Sequence, residues 1–305
     1  MNQDFKTFAK GLLPKPVKKV LLESLRRLFV PPNLVRNLLA HDGTFVVDVM
    51  GHDLIMRHTN RWIENDLFWH GLFRYEGASM RVWLALAKCA RTIVDVGANT
   101  GLFSLTARCV NPKAAIHAFE PVPEFCSIFE RNDDSNHAGI VIHRTALSNE
   151  SGVLPMFMPY EFSGNIYSSS LSKEHYLKCQ KSAPRTFDVT VEVFDELANR
   201  LAIEDVDLIK VDAEGVDLKV LMGMHQTLMR DAPDVLVEIS SDEIGAGIEI
   251  LLPATKYRYF KSCEDGTFAL TDRLKRNDEL NYLICKPSSA ELLSGELNSV
   301  GRGRI

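Results

Sequence analysis

A chain of 305 residues, 46% hydrophobic and 25% charged, is long enough for one large domain or for one domain with an added N-terminal layer. The net charge of −5 is unevenly spread: residues 1–37 carry eight Lys or Arg against Asp4 and Glu23, so the rest of the chain is at −11. An acidic core argues against nucleic acid as a partner, and no apolar run approaches the ~20 residues that span a bilayer.

The N-terminal segment lacks a continuous apolar core of signal-peptide type. The six cysteines (Cys89, Cys109, Cys126, Cys179, Cys263 and Cys285) are scattered and form no Cys-x-x-Cys. A reducing, cytoplasmic setting is therefore expected, with neither a disulfide frame nor a zinc site.

Residues 1–40 read as a basic helical extension. Val17, Val20, Leu21, Ser24, Leu25 and Leu28 form a stripe beside Lys18, Lys19, Arg26 and Arg27, between Pro14, Pro16 and Pro31, Pro32. Such a helix either lies on an anionic membrane surface or a partner, or packs on the domain or a second subunit. The few flanking cations favour packing.

Residues 41–90 form a hairpin and helical region. Two strand-like runs, 45–49 and 54–58, meet around Met50-Gly51-His52-Asp53. An aromatic-rich stretch, 61–72, leads to a helix over 79–90. Glu76 precedes that helix; it either reaches a ligand or sits there because the helix dipole favours an acid.

The stretch 92–121 organises the rest, within a core domain spanning 91–286. Thr92-Ile93-Val94-Asp95-Val96 is short, apolar and β-branched, as a strand buried on both faces should be. It ends at Gly97. From Leu102 apolar residues recur at helical spacing. A second apolar run, 114–119, ends in Glu120-Pro121. A strand, a glycine turn and a helix bring backbone N–H groups to the sheet's carboxyl edge, and an acid ending the next strand can accept ribose hydroxyls.

The glycines read Gly97-Ala98-Asn99-x-Gly101, which is neither the Gly-x-Gly-x-x-Gly of dinucleotide enzymes nor a phosphate loop. S-adenosylmethionine fits this pattern, with its ribose at Glu120 and its amino-acid end over the turn. An NAD- or nucleotide-binding protein without methyl transfer is the alternative, and a regulator that binds the same ligand is a third reading.

Further along, 123–132 reads as helix, 140–143 as a strand, and Thr145-Ala146-Leu147-Ser148 as a small-residue turn at the sheet edge that could flank a flat adenine. Residues 150–185 show little periodicity, as a lid, a recognition insert or a plain surface hairpin would. Strands are expected at 188–193, 206–211, 235–238, 256–261 and 282–285, with helices over 195–201 and after Asp217. The tail, 287–305, with Gly295, Gly301 and Gly303, is expected to fray. The sum is an α/β, Rossmann-like class I methyltransferase architecture: seven mostly parallel strands, helices on both faces, and a closing antiparallel pair.

The chain resembles the FkbM family of methyltransferases in Tyr75-Glu76, Val94-Asp95-Val96-Gly97-Ala98-Asn99-x-Gly101, Ala118-Phe119-Glu120-Pro121, Ala146-Leu147-Ser148 and Leu208-Ile209-Lys210-Val211-Asp212-Ala213-Glu214-Gly215. The resemblance covers roughly residues 75–240. It implies O-methylation of a sugar, glycan or secondary-metabolite hydroxyl. It also implies S-adenosylmethionine contacts at Glu76, Asp95, Gly97, Asn99, Gly101 and Glu120, with Ala98, Pro121, Ala146 and Asp212 beside them. Val216-Asp217 departs from the family's usual small residue and Glu, but keeps an acid.

Asp212 and Glu214 end a strand near the methyl position, so one could orient a ligand while the other takes the hydroxyl proton. The competing reading has Asp212 capping the next helix and Glu214 pairing with Lys210 or a surface group. Asp212, Glu238 and Asn165 could offer magnesium its oxygen ligands, but such triads are common and no metal is assigned. Among the histidines, His117 reads as a packed strand residue and His143 as a neighbour of the adenine. His52, His58, His70 and His175 lie on segments that could face the acceptor.

Overall fold

In the computed structural model the described residues are 21–26, 28, 30–32, 43–59, 62–160, 169–180 and 183–296. Most of the N-terminal extension, Val17, Val20, Lys18 and Lys19 included, lies outside them. Within them Leu22 is buried against the core, Leu28 is exposed, and the Arg26 guanidinium lies 4.8 Å over the Phe68 ring.

A hairpin of β1 (Gly43–Val49) and β2 (His52–His58) comes first, followed by α1 (Trp62–His70) and α2 (Gly77–Ala87). The next units are β3 (Thr92–Val96), α3 (Leu102–Val110), β4 (Ala115–Phe119), α4 (Pro123–Asn136) and β5 (Val141–His143). A side structure follows: β6 (Ala146–Ser148), β7 (Gly152–Met158), α5 (Lys173–Cys179), β8 (Arg185–Val193) and α6 (Phe194–Leu201). The chain then resumes with β9 (Val206–Val211), α7 (Asp217–Met222), α8 (His225–Asp231), β10 (Asp234–Glu238) and α9 (Asp242–Leu251). It closes with β11 (Arg258–Ser262), β12 (Phe268–Thr271), β13 (Asn281–Cys285) and α10 (Pro287–Glu296).

The main sheet has the order β12-β11-β13-β10-β9-β3-β4-β5. From β5 to β10 neighbouring strands run parallel; β13, β11 and β12 are each antiparallel to their neighbours. The α/β, mostly parallel reading holds, with one correction: the sheet has eight strands, because β12 adds an edge outside β11. Its four residues were too short a signal to separate from the turn before it.

Strand periodicity divides the core. Ile93, Ile116, Leu208, Leu236 and Leu283 point to one face, under α2 and α3, while Val94, Phe119, Ile209, Val235 and Ile284 point to the other, under α6 to α9. The order reverses at β3, with β4 on one side and β9 on the other. Ligand clefts of open α/β sheets open at such a reversal, outside the strands' carboxyl ends.

Three other expectations change. Residues 146–148 are a strand rather than a turn: β6 pairs parallel to β8 in a separate sheet ordered β6-β8-β7. Residues 150–185 are not structureless, since they hold β7, α5 and the start of β8; 161–168 and 181–182 lie outside the described residues. Residues 287–296 form α10, held by a buried Leu293 and by the Asp234 carboxylate, which accepts the Lys286 N–H at 2.8 Å and the Ser289 hydroxyl at 2.6 Å.

The hairpin is fastened by side-chain amides of α4. Asn136 accepts the Ile55 N–H at 2.8 Å and donates to the Ile55 carbonyl at 2.7 Å, and Asn132 accepts the Arg57 N–H at 2.8 Å. These bonds satisfy an edge that no strand covers among the described residues. The six cysteines are all free. Among the described residues no helix is long and apolar enough to cross a membrane.

Candidate active site

The cleft at the strand-order reversal is walled by the β3–α3 turn, the end of β4, the start of β6 and the turn after β9. Gly97 begins the first wall. Its φ of +77° suits glycine, and a Cβ there would overlap the Asp212 carbonyl oxygen. The two strand ends can lie this close only without a side chain. Asn99 also takes a left-handed backbone, φ +52°, and turns its N–H toward the Glu120 carboxylate.

Glu120 is buried at the tip of β4. One carboxylate oxygen accepts the Asn99 N–H and the other the Val122 N–H, each at 2.8 Å. Two amides from opposite sides fix the carboxylate's plane at the mouth of the cleft.

Asp95 is fully buried near the end of β3. Its Oδ2 accepts both the N–H of Ser104 at 3.0 Å and its hydroxyl at 2.6 Å; its Oδ1 is buried and has no hydrogen-bond partner. Opposite Asp95 in register on β9 stands Lys210. Its ammonium donates to Asp212 at 2.8 Å and lies 4.5 Å over the Phe103 ring. Burial opposes the charge, but Asp212, Glu76 and Asp95 hold the ammonium's pKa above its ordinary value.

The alternative assignment for the β9 acids changes in its named partners. Lys210 pairs with Asp212, not Glu214. Asp217, not Asp212, closes the turn, accepting the Ala213 N–H at 2.9 Å and the Gly215 N–H at 3.1 Å. Burial lifts Asp217 to about 7. Glu214 meets His175 of α5, Oε2 to Nε2, at 3.4 Å, while Ser170 donates to the Glu214 carbonyl at 2.6 Å. Gly215 makes that approach possible, because a Cβ there would strike the His175 ring. Burial raises the Glu214 carboxyl above its usual range, and the His175 contact opposes the rise. Glu238, at the end of β10, is pushed up to about 10 by burial and then by Asp212, Glu214, Asp217 and Glu76, so it is neutral at pH 7.

Of the residues singled out in the sequence, Asp95, Gly97, Ala98, Asn99, Glu120, Pro121, Ala146, Asp212 and Glu214 line this cleft together. Gly101 does not; it begins α3 behind the turn, at φ +90°. Glu76 lines an adjoining cleft, and Tyr75 is shared by both. Glu76 stands at the N-terminal end of α2, where the helix dipole favours an acid, and its side chain makes no capping hydrogen bond. Among the described residues no cluster of His, Cys, Asp and Glu is arranged to hold a metal, and Asn165 lies outside them.

His143 stacks on Phe119 at 4.5 Å and meets His117 at 3.2 Å. Burial lowers both, His143 to about 4, so the pair is neutral. His58 is buried beside Phe45 and Phe68 and does not line this cleft.

Sequence reasoning gave Lys210 no role of its own and set His175 among four undistinguished histidines. Lys210 had a readable signal: a lysine inside an apolar parallel strand is buried and needs a carboxylate. His175 had none, being 39 residues from Glu214 in sequence.

The methyltransferase FkbM domain profile matches residues 95–259, from Asp95 through the Asp212–Asp217 turn into β11. The chain belongs to the FkbM methyltransferase family. It is 32% identical over 168 residues to methyltransferase sdnD of Sordaria araneosa, covering 48% of this chain and 65% of that one. It is 30% identical over 169 residues to the hexuronic acid methyltransferase AglP of Haloferax volcanii, covering 54% and 63%. To 31-O-demethyl-FK506 methyltransferase FkbM of Streptomyces tacrolimicus it is 25% identical over 168 residues, covering 48% and 64%. The chain thus spans just under two thirds of these FkbM-type relatives.

Proposed function

We propose that this FkbM-family chain is an S-adenosylmethionine-dependent O-methyltransferase acting on a hydroxyl of a sugar, glycan or secondary metabolite. The observation that carries the reading is the charge of the cleft. Its lining includes four acids, Asp95, Glu120, Asp212 and Glu214, and one base, Lys210. S-adenosylmethionine carries a sulfonium, an ammonium and one carboxylate, a net positive charge that such a lining attracts. A dinucleotide would bring a pyrophosphate into the same acids, and among the described residues no arginine or second lysine lines the cleft to receive it.

The residues fit the cofactor. The buried, unpaired Oδ1 of Asp95 suits the ammonium of its amino-acid end. The fixed Glu120 carboxylate suits its ribose hydroxyls, and Ala146 with Leu147 suits a flat adenine. When bound, it supplies a methyl group already activated on sulfur. Lys210 fixes the Asp212 carboxylate beside the reacting region, and burial raises the Glu214 carboxyl, which makes its carboxylate a stronger base. Excluding water and holding a hydroxyl close then supply most of the acceleration.

Two relatives bear names that point to acceptors of this kind, the hexuronic acid enzyme and the 31-O-demethyl-FK506 enzyme. The test is S-adenosylhomocysteine release with sugars, glycolipid fragments and polyketide alcohols. Glu214→Gln and Asp212→Asn are each expected to lower kcat about 100-fold. Near-full turnover in both variants would remove the proposed roles.

A further inference from the structure

A second cleft opens on the same edge of the sheet, with Tyr75 as the wall it shares with the first. One side is the segment around the start of α2; the other is the β11–β12 turn and the residues leading into β13. Strand register puts all of these at the carboxyl edge, since Asn281 lies opposite Glu238 and Ser262 opposite Phe268.

Glu76 stands at the junction. Its backbone is left-handed, φ 43° and ψ 44°, a conformation that costs any residue with a Cβ. The strain brings no helix cap. It sets the carboxyl beside the Tyr75 hydroxyl, within electrostatic reach of Lys210, Asp212 and Glu214, and leaves Oε2 buried without a hydrogen-bond partner. A strained backbone that holds a buried, unpaired oxygen at a cleft implies a donor from outside the chain.

The walls say what carries that donor. Trp62 and Phe73 are 37% and 42% exposed, and Trp62 packs edge-on to Tyr75 at 5.5 Å. Aromatic faces beside hydrogen-bonding groups suit a ring with an apolar face and a hydroxylated edge. The charge is one-sided. Glu264, Asp265, Asp278 and Glu279 join Glu76 against Arg74 and Arg81. Arg81 is already engaged, 5.1 Å over the Phe73 ring and donating to the Gly266 carbonyl at 3.3 Å. A carboxylated ligand would meet like charge there.

We infer that this second cleft is the acceptor site, that Glu76 takes a hydrogen bond from the acceptor hydroxyl, and that the site selects a hydroxylated ring carrying no carboxylate. The inference rests on the first cleft being the donor site.

Titration of methyl β-glucopyranoside and methyl β-glucuronopyranoside, each into protein saturated with S-adenosylhomocysteine, tests it by ligand-observed NMR. The glucoside is expected to bind at least about tenfold more tightly than the glucuronide at low salt. The surface variant Glu264→Lys/Asp278→Lys should narrow that gap about tenfold or more, and Trp62→Ala should weaken the glucoside about tenfold. Binding of neither sugar, equal binding of both, or a selectivity that ignores the charge reversal would overturn the inference. S-adenosylhomocysteine affinity is measured calorimetrically on the same proteins. Sugar selectivity without S-adenosylhomocysteine binding would sink the donor reading instead.

Discussion

Glu120 was readable as an acid closing the second core strand, and the amides of Asn99 and Val122 explain why its carboxylate points one way. Glu120→Gln turns an NH2 toward one of those amides and gives up a charged acceptor. S-adenosylhomocysteine affinity should fall roughly tenfold to a hundredfold by calorimetry. Gly97→Ala sets a Cβ against the Asp212 carbonyl at positive φ, so β3 and β9 must part where the residues at both ends line the cleft. A loss of about 3 kcal/mol or more in chemical unfolding is expected, with cofactor binding abolished.

Glu238 predicts a pH effect of definite sign. Its folded pKa of about 10 lies above its unfolded value, so the fold keeps a proton that the unfolded chain releases. Below the unfolded pKa both states are protonated and nothing is lost. As pH rises from there toward 10, stability falls. Glu238→Gln should therefore gain about 1–3 kcal/mol at pH 8 and little at pH 4, read from melting curves at the two values. The sequence marked Glu238 as a strand-end acid but not as a neutral one, because its state depends on acids from two other segments, the Asp212–Asp217 turn and Glu76.

At the scale of elements, what the sequence expressed as periodicity came through: the hairpin, the helix of 77–87 and the five parallel strands. Elements defined by partners did not. β6 is three residues long and β7 carries Pro155 with no alternation, so only pairing with β8 makes them strands. α10 looked like tail because of Gly295 within it and two glycines beyond it, whereas Asp234, 52 residues from Lys286, fixes its start. The clamp on β2 was equally hidden, since Asn136 is 81 residues from Ile55. Asn136→Ala removes both bonds to Ile55 and should cost about 1–3 kcal/mol, with faster amide exchange at Ile55 while the main sheet stays protected.

Over the whole molecule, charge and topology converge. The excess of acid that separates residues beyond 37 from the basic N-terminus is partly collected at one edge of the sheet, where the order reverses and both clefts open. Reading the glycine spacing gave the cleft's position, and the family match gave its kinship. Its electrostatic preference required the fold, because Asp95, Glu120 and Asp212 come from three strands. The central claim, that this acid-lined cleft is a methyl-donor site and not a dinucleotide site, is tested most directly by paired calorimetric titrations of the full chain with S-adenosylhomocysteine and with NAD. Saturable 1:1 binding of S-adenosylhomocysteine, weakened by Glu120→Gln, is expected, with no heat from NAD. NAD binding in the absence of S-adenosylhomocysteine binding would contradict it.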